Sequence, residues 1–137
     1  MKHFIPYLIA SLLICLAPLH VLACSAFYWG GEKMLFGRNL DWYNGSGYVM
    51  KNNRGQKKFA YSISLNKAAH WVAKYGSITF NQIGKEFPYG GINEKGLVVE
   101  QLWLHATTYQ DNKNETISEL EWIQYQLDNY EHIDQII

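Results

Sequence analysis

Only one stretch of this chain carries the period of a helix, and it comes last. Thr116-Ile117-Ser118-Glu119 fits a capping box, which satisfies the first backbone N–H groups of a helix. Behind it Leu120, Ile123, Gln124, Leu127 and Tyr130 recur at helical spacing, and Ile117 extends the stripe backward. Residues 25–105 read instead as short strands broken by turns. Residues 25–29 are apolar and aromatic, Gly30-Gly31-Glu32 is a tight turn, and 33–42 form the returning strand of a hairpin. Residues 43–47 are loop. Phe59, Tyr61, Ile63 and Leu65 alternate with smaller residues, as a half-buried strand does. Residues 71–81 form another strand, interrupted by Gly76; 90–96 are turn-rich; 97–105 are a strand. A sheet of this kind has an apolar face to cover, and one helix covers little of it. Residues 132–137 open a further apolar element without a cap or a closing turn. The expectation is therefore an α+β segment of mostly antiparallel strands followed by one helix, belonging to a longer chain.

Composition narrows the function classes. At 137 residues the chain allows one ordinary domain, and 48% hydrophobic against 18% charged residues makes it globular. Lys and Arg number 12 and so do Asp and Glu, which removes the electrostatic case for a nucleic-acid partner. The sequence holds neither a phosphate-binding Gly-rich loop nor a dinucleotide fingerprint. His70, His105 and His132 are too scattered for a zinc-type ligand set. No cofactor and no metal are expected. Aromatic residues reach 15%, enough to offer a ligand large rigid apolar surfaces.

The N-terminus reads as an address. Met1-Lys2-His3 is a short basic start, residues 7–16 are an apolar run, and Val21-Leu22-Ala23 ends in small or apolar residues before Cys24. These are the three regions of a secretory signal, so residues 1–23 are expected to be cleaved and 24–137 exported, to a bacterial periplasm or to the medium. The other reading is an uncleaved anchor over residues 4–23, weakened by Pro6, Pro18 and His20; it would supply the only contact with a membrane. Cleavage also removes Cys15. The processed chain then holds one cysteine, as its first residue. Three readings of Cys24 stand side by side. It is a lipid attachment site, although Leu22 is a poor fit to the small residue usual at that place; it is incidental; or it is a nucleophile made by the cleavage itself. In the last case one residue carries a thiol and a free α-amine whose ordinary pKa is about 8, able to accept the thiol proton near neutrality.

Cys24 at a predicted processing site, followed by Phe36-Gly37-Arg38-Asn39-Leu40-Asp41-Trp42, resembles the choloylglycine hydrolase family of N-terminal nucleophile hydrolases. Gly91-Ile92-Asn93-Glu94-Lys95-Gly96-Leu97 resembles a second segment of that family, and residues 117–129 its following helix. The resemblance runs over essentially all of 24–137. It implies that these residues are the N-terminal part of a four-layer αββα fold that hydrolyses a linear N-acyl amide bond. It also implies that Cys24 is the nucleophile with its own α-amine as base, that Arg38 lies beside the thiol, and that Asp41 holds the amine. Penicillin V, N-acyl homoserine lactones and bile-salt-like amides are the small-molecule substrates it suggests. Members are commonly more than twice this length, so 24–137 alone is expected to fold poorly and to be close to inactive. Several enzymes of the fold are tetramers, which admits a homo-oligomer.

The chemistry of these residues stands beside the resemblance. A guanidinium favours thiolate formation, and a carboxylate near an α-amine orients it and raises its basicity. Arg38 and Asp41 are three apart and would point to opposite faces of a regular strand, so the strand must end or bulge near Leu40 for both to reach Cys24. Asn93 resembles an oxyanion donor, but Asn93-Glu94-Lys95-Gly96 has the composition of a hairpin turn, with Gly96 suited to positive φ. Trp103 stands where bile salt hydrolases commonly carry an asparagine. That departure favours the penicillin-acylase-like branch, in which Trp42 and Trp103 would wall an acyl pocket. Both indoles read equally well as core residues.

Overall fold

The computed structural model describes residues 24–61, 67–102, 107–108 and 116–137. It contains eight strands among these residues. β1 (Ser25–Trp29) and β2 (Leu35–Asn39) form an antiparallel hairpin. β3 (Tyr48–Asn52), β6 (Ser77–Asn81), β7 (Pro88–Asn93) and β8 (Val98–Glu100) form a four-stranded antiparallel sheet in the order β3-β6-β7-β8. β4 (Lys57–Phe59) and β5 (His70–Val72) pair as a separate antiparallel ribbon. The helix α1 (Glu119–Asn129) lies across β7 and β8, and a short 3-10 turn (Ile133–Gln135) follows it. The architecture is the α+β, strands-then-helix arrangement expected.

The sheet has its polarity inverted relative to a simple amphipathic reading. The face under α1 carries Asn52, Ser77, Thr79, Asn81 and Asn93, all buried. The opposite face carries Val49, Ile78, Phe80 and Ile92, all exposed, Val49 at 67%. Hydrogen bonds rather than apolar contacts therefore fill much of the helix–sheet layer. Asn52 Nδ2 donates to Thr79 Oγ1 at 3.0 Å, and Gln124 on α1 donates to Asp128 Oδ1 at 2.9 Å. The apolar part of the layer is Leu97, Val99, Ile123 and Leu127, with Tyr130 and Ile136 at its rim. Gly91 lets α1 come this close: a Cβ there would stand 2.6 Å from Ile78 O and 3.0 Å from Leu127 Cδ1.

The β4–β5 ribbon is tied to α1 through a buried ionic cluster. Asp128 accepts from the Trp71 indole at 2.7 Å and lies 3.5 Å from the Lys58 ammonium, which also reaches Asn52 Oδ1 at 3.3 Å. Burial pushes the Asp128 carboxyl above the usual carboxylate range, against the pull of Lys58, Trp71 and Gln124.

Several elements differ from expectation. The helix begins two residues later, with Ser118 rather than Thr116 as its N-cap: Leu120 N–H donates to Ser118 Oγ at 3.2 Å, and the Ser118 hydroxyl bonds Glu121. Thr116 instead offers its carbonyl to Ala69 N–H. The buried stripe is rotated accordingly. Ile123, Gln124 and Leu127 are buried as expected, but Glu121 and Asp128 are inside as well while Leu120 is 41% exposed, because the sheet beneath is polar. Residues 71–81 are two strands in different sheets, separated at Gly76. Residues 90–93 continue β7 rather than forming a turn, and the turn itself is Glu94–Lys95, closed by Gly96 at φ +87°. β3 was not anticipated at all. Of the strand expected through Phe59, Tyr61, Ile63 and Leu65, β4 ends at Phe59, and Ile63 and Leu65 lie outside the described residues. The leader proposed for residues 1–23 lies outside them as well.

Candidate active site

The β1–β2 hairpin sets the relation between the predicted site residues. Its register pairs Ser25 with Asn39 and Ala26 with Arg38. Cross-strand partners share a face and alternate residues share a face. Continuing β1 back by one residue therefore puts Cys24 on the face of Arg38, diagonally across the ladder at a regular spacing of about 7–8 Å. Cys24 is a free thiol, partly exposed. The pairing gives Arg38 and Cys24 a common face.

β2 ends at Asn39, which meets the requirement that the strand stop near Leu40. Asp41 then lies in irregular chain, half-buried, and accepts a 2.7 Å hydrogen bond from Asn39 Nδ2. Trp42 follows, 47% exposed, with its ring edge-on to Tyr43 at 5.7 Å between centroids. Trp103 lies outside the described residues.

Next to the hairpin is a cleft of about 450 Å³. From β2 and the residue after it come Phe36, Arg38 and Leu40; Cys24, Asp41 and Trp42 are not among the residues that line it. From the four-stranded sheet come Tyr48, Val49, Phe80, Tyr89 and Glu100. The lining also includes Glu100, Asn44, Ser46, Asn81 and Gln82, and a cleft that joins apolar surface to such polar groups suits a ligand with both an apolar and a polar part. A second cleft, of about 380 Å³, lies at the other end of β3 and β6 beside Arg54 and Glu94, and holds none of the predicted site residues.

Arg38 is the polar center of the first cleft, and its partners were not foreseen. Nη1 donates to Tyr89 O at 2.6 Å and to Glu100 Oε2 at 2.7 Å, and Nη2 donates to Gln101 O at 2.8 Å. The Arg38 and Glu100 side chains are 11% and 10% exposed. Burial pushes the Glu100 carboxyl above the usual carboxylate range, and Arg38 pulls it back down. The only sequence signal for Glu100 was a carboxylate inside an apolar strand, which asks for a partner somewhere.

Asn93 is fully engaged elsewhere. Its Nδ2 donates to Leu127 O at 3.0 Å and to Tyr130 O at 2.7 Å. Its Oδ1 accepts from Lys95 N–H at 3.0 Å and Leu97 N–H at 3.1 Å. An amide side chain has two donors and two acceptor sites, and all four are used. The turn reading of Asn93 holds, and it has no donor left for an oxyanion.

Comparison with known proteins places these features. The family described as linear amide C–N hydrolases, choloylglycine hydrolase family, matches residues 24–137. The chain belongs to the choloylglycine hydrolase family. Within it, the chain is 27% identical over 131 residues to a penicillin V acylase of Pectobacterium atrosepticum, covering 85% of this chain and 34% of that protein. The solved structure of penicillin V acylase from Agrobacterium tumefaciens superposes with a TM-score of 0.68 at 27% identity, over 81% of this chain and 36% of that one. The chain thus spans about a third of the length of these relatives. Its strands and helix are those of an N-terminal nucleophile hydrolase fold, in agreement with the fold expected for a choloylglycine hydrolase.

Proposed function

We propose that this chain carries the nucleophile end of an N-acyl amide hydrolase in which Cys24 becomes the N-terminal residue once 1–23 are removed. The observation that carries the reading is the hairpin register: it puts Cys24 on the same face as Phe36, Arg38 and Leu40, the β2 side of the cleft. In the reaction the Cys24 α-amine takes the thiol proton, and the thiolate attacks the amide carbonyl. The tetrahedral oxyanion collapses to a thioester as the protonated amine leaves, and water then hydrolyses the thioester to release the acid and restore the thiol. Arg38 supplies positive charge beside the thiolate, and Asp41 orients the α-ammonium.

The substrates that fit are N-acyl amides with an apolar acyl group: penicillin V, whose hydrolases are the relatives matched, N-acyl homoserine lactones, or bile-salt-like conjugates. Phe36, Leu40, Val49 and Phe80 offer apolar surface for the acyl group, and the family resemblance alone adds Trp42 and Trp103 as acyl-pocket walls. Location in the periplasm or the medium follows from the leader.

The test has two parts. Intact mass of the protein from its native host should begin at an unmodified Cys24; a diacylglycerol thioether there would make the chain an envelope lipoprotein that binds hydrophobic ligands without catalysis. Cys24→Ala and Cys24→Ser in the full-length protein should abolish penicillin V turnover with unchanged melting temperature. Turnover surviving either substitution removes the nucleophile assignment.

A further inference from the structure

Arg38 is held by more than its position in β2. Three hydrogen bonds carry its guanidinium across from the hairpin to β7 and to the end of β8. Both Nη1 hydrogens are used, one Nη2 hydrogen is used, and the buried Nε has no partner among the described residues. What remains to meet a thiolate or a substrate oxygen is therefore Nε and one Nη2 hydrogen.

The space for this arrangement is made by a glycine. Gly90 on β7 is the register partner of Glu100 on β8. A Cβ at Gly90 would overlap the Glu100 carboxylate, the far end of a flexible side chain. The Glu100 side chain thus lies across Gly90, and from there its Oε2 meets Arg38 Nη1. Tyr89 O and Gln101 O, the backbone groups flanking the pair, complete the seat.

We infer that Glu100, seated over Gly90, is the positioning residue for Arg38: it fixes the guanidinium in the cleft and offsets part of the positive charge that Cys24 experiences. The inference rests on the proposed role of Cys24 and Arg38 and adds a member to that site. A cation beside a thiol lowers the thiol pKa, and a carboxylate in contact with that cation opposes the effect. Glu100 therefore tunes the thiolate through Arg38 without touching substrate.

The experiment compares E100Q, E100D and G90A in the full-length processed protein. The first readout is the pH dependence of Cys24 alkylation by iodoacetamide, which needs no turnover. In E100Q the amide oxygen still accepts from Nη1, the two backbone carbonyls still hold the guanidinium, and the opposing charge is gone. The alkylation midpoint should move to lower pH. G90A, which displaces the Glu100 carboxylate without removing it, should move the midpoint the same way, and E100D, which keeps the charge, should stay nearer the parent. kcat/KM on penicillin V should fall roughly tenfold in E100Q, the scale expected when the bond to Nη1 keeps its geometry but loses its charge assistance and holds the guanidinium less firmly. A purely structural Glu100 would change melting temperature and leave the midpoint in place. A midpoint that stays or rises in both E100Q and G90A overturns the inference. Turnover that survives Cys24→Ala overturns the amidase reading instead, so the two failures are distinct.

Discussion

The Trp71 indole donates a 2.7 Å hydrogen bond to Asp128, a carboxylate with no exposed surface, and so joins the β4–β5 ribbon to the end of α1. The same carboxylate lies 3.5 Å from the Lys58 ammonium. Asp128→Ala leaves the buried Lys58 with only Glu86, at 3.7 Å, as a carboxylate partner, and should cost about 3 kcal/mol, the low end for breaking a buried pair. Trp71→Phe removes one hydrogen bond to a charged group and should cost about 1.5–3 kcal/mol. Urea unfolding of the full-length protein measures both, and the double variant should lose less than the sum because the residues share one network.

Asn93 closes the β7–β8 turn and holds the end of α1 through its four hydrogen bonds. Asn93→Ala orphans buried backbone groups, each worth about 1–3 kcal/mol. The melting temperature should drop while kcat per folded molecule stays near the parent value. A variant that melts normally and loses kcat would assign Asn93 to the chemistry instead.

Gly91→Ala sets a methyl group 2.6 Å from Ile78 O and 2.8 Å from the Thr79 methyl. Neither the sheet backbone nor Leu127 above it can yield cheaply, and overpacking of this kind costs about 1–3 kcal/mol. Thermal unfolding should show the loss, and a Leu127→Ala partner substitution should recover little of it, because the closest atom is backbone.

The turn acid Glu94 accepts from Arg54 Nε at 2.5 Å and from Gly76 N–H at 2.8 Å, and these hold its carboxyl below the usual carboxylate range. A lowered folded pKa means a contribution present above the unfolded value and lost as pH falls through the folded one. Glu94→Gln should therefore narrow the stability gap to the parent as the solution is acidified below about pH 4, the ordinary range for a glutamate. The pair is exposed, so the effect is small and should shrink further in high salt. Paired denaturation curves across that interval test the sign.

The hairpin and the helix were readable in the chain because their signals are local. A short apolar and aromatic run before a Gly-Gly turn marks β1, and helical spacing marks α1. β3 was missed because its buried residue is Asn52 while Tyr48 and Val49 are exposed, the reverse of the usual pattern. The same inversion turned α1, hiding Asp128 and showing Leu120. Cys24, Arg38 and Asp41 came from a compact motif near the start of the chain, and the register then related two of them. Glu100 was out of reach: it is 62 residues from Arg38, and the room it occupies exists only because Gly90 is opposite it in the sheet.

The way α1 ends has a kinetic meaning. The final carbonyls of a helix normally lack partners and fray. Here Leu127 O is taken by Asn93, and Asp128 O by the N–H groups of Lys74 and Tyr75, at 2.8 and 3.2 Å. Those two amides belong to the segment between β5 and β6, yet they cannot exchange their hydrogens with solvent unless the last turn of α1 lets go. Their deuterium uptake becomes a clock for helix undocking, readable from residues that are not in the helix at all.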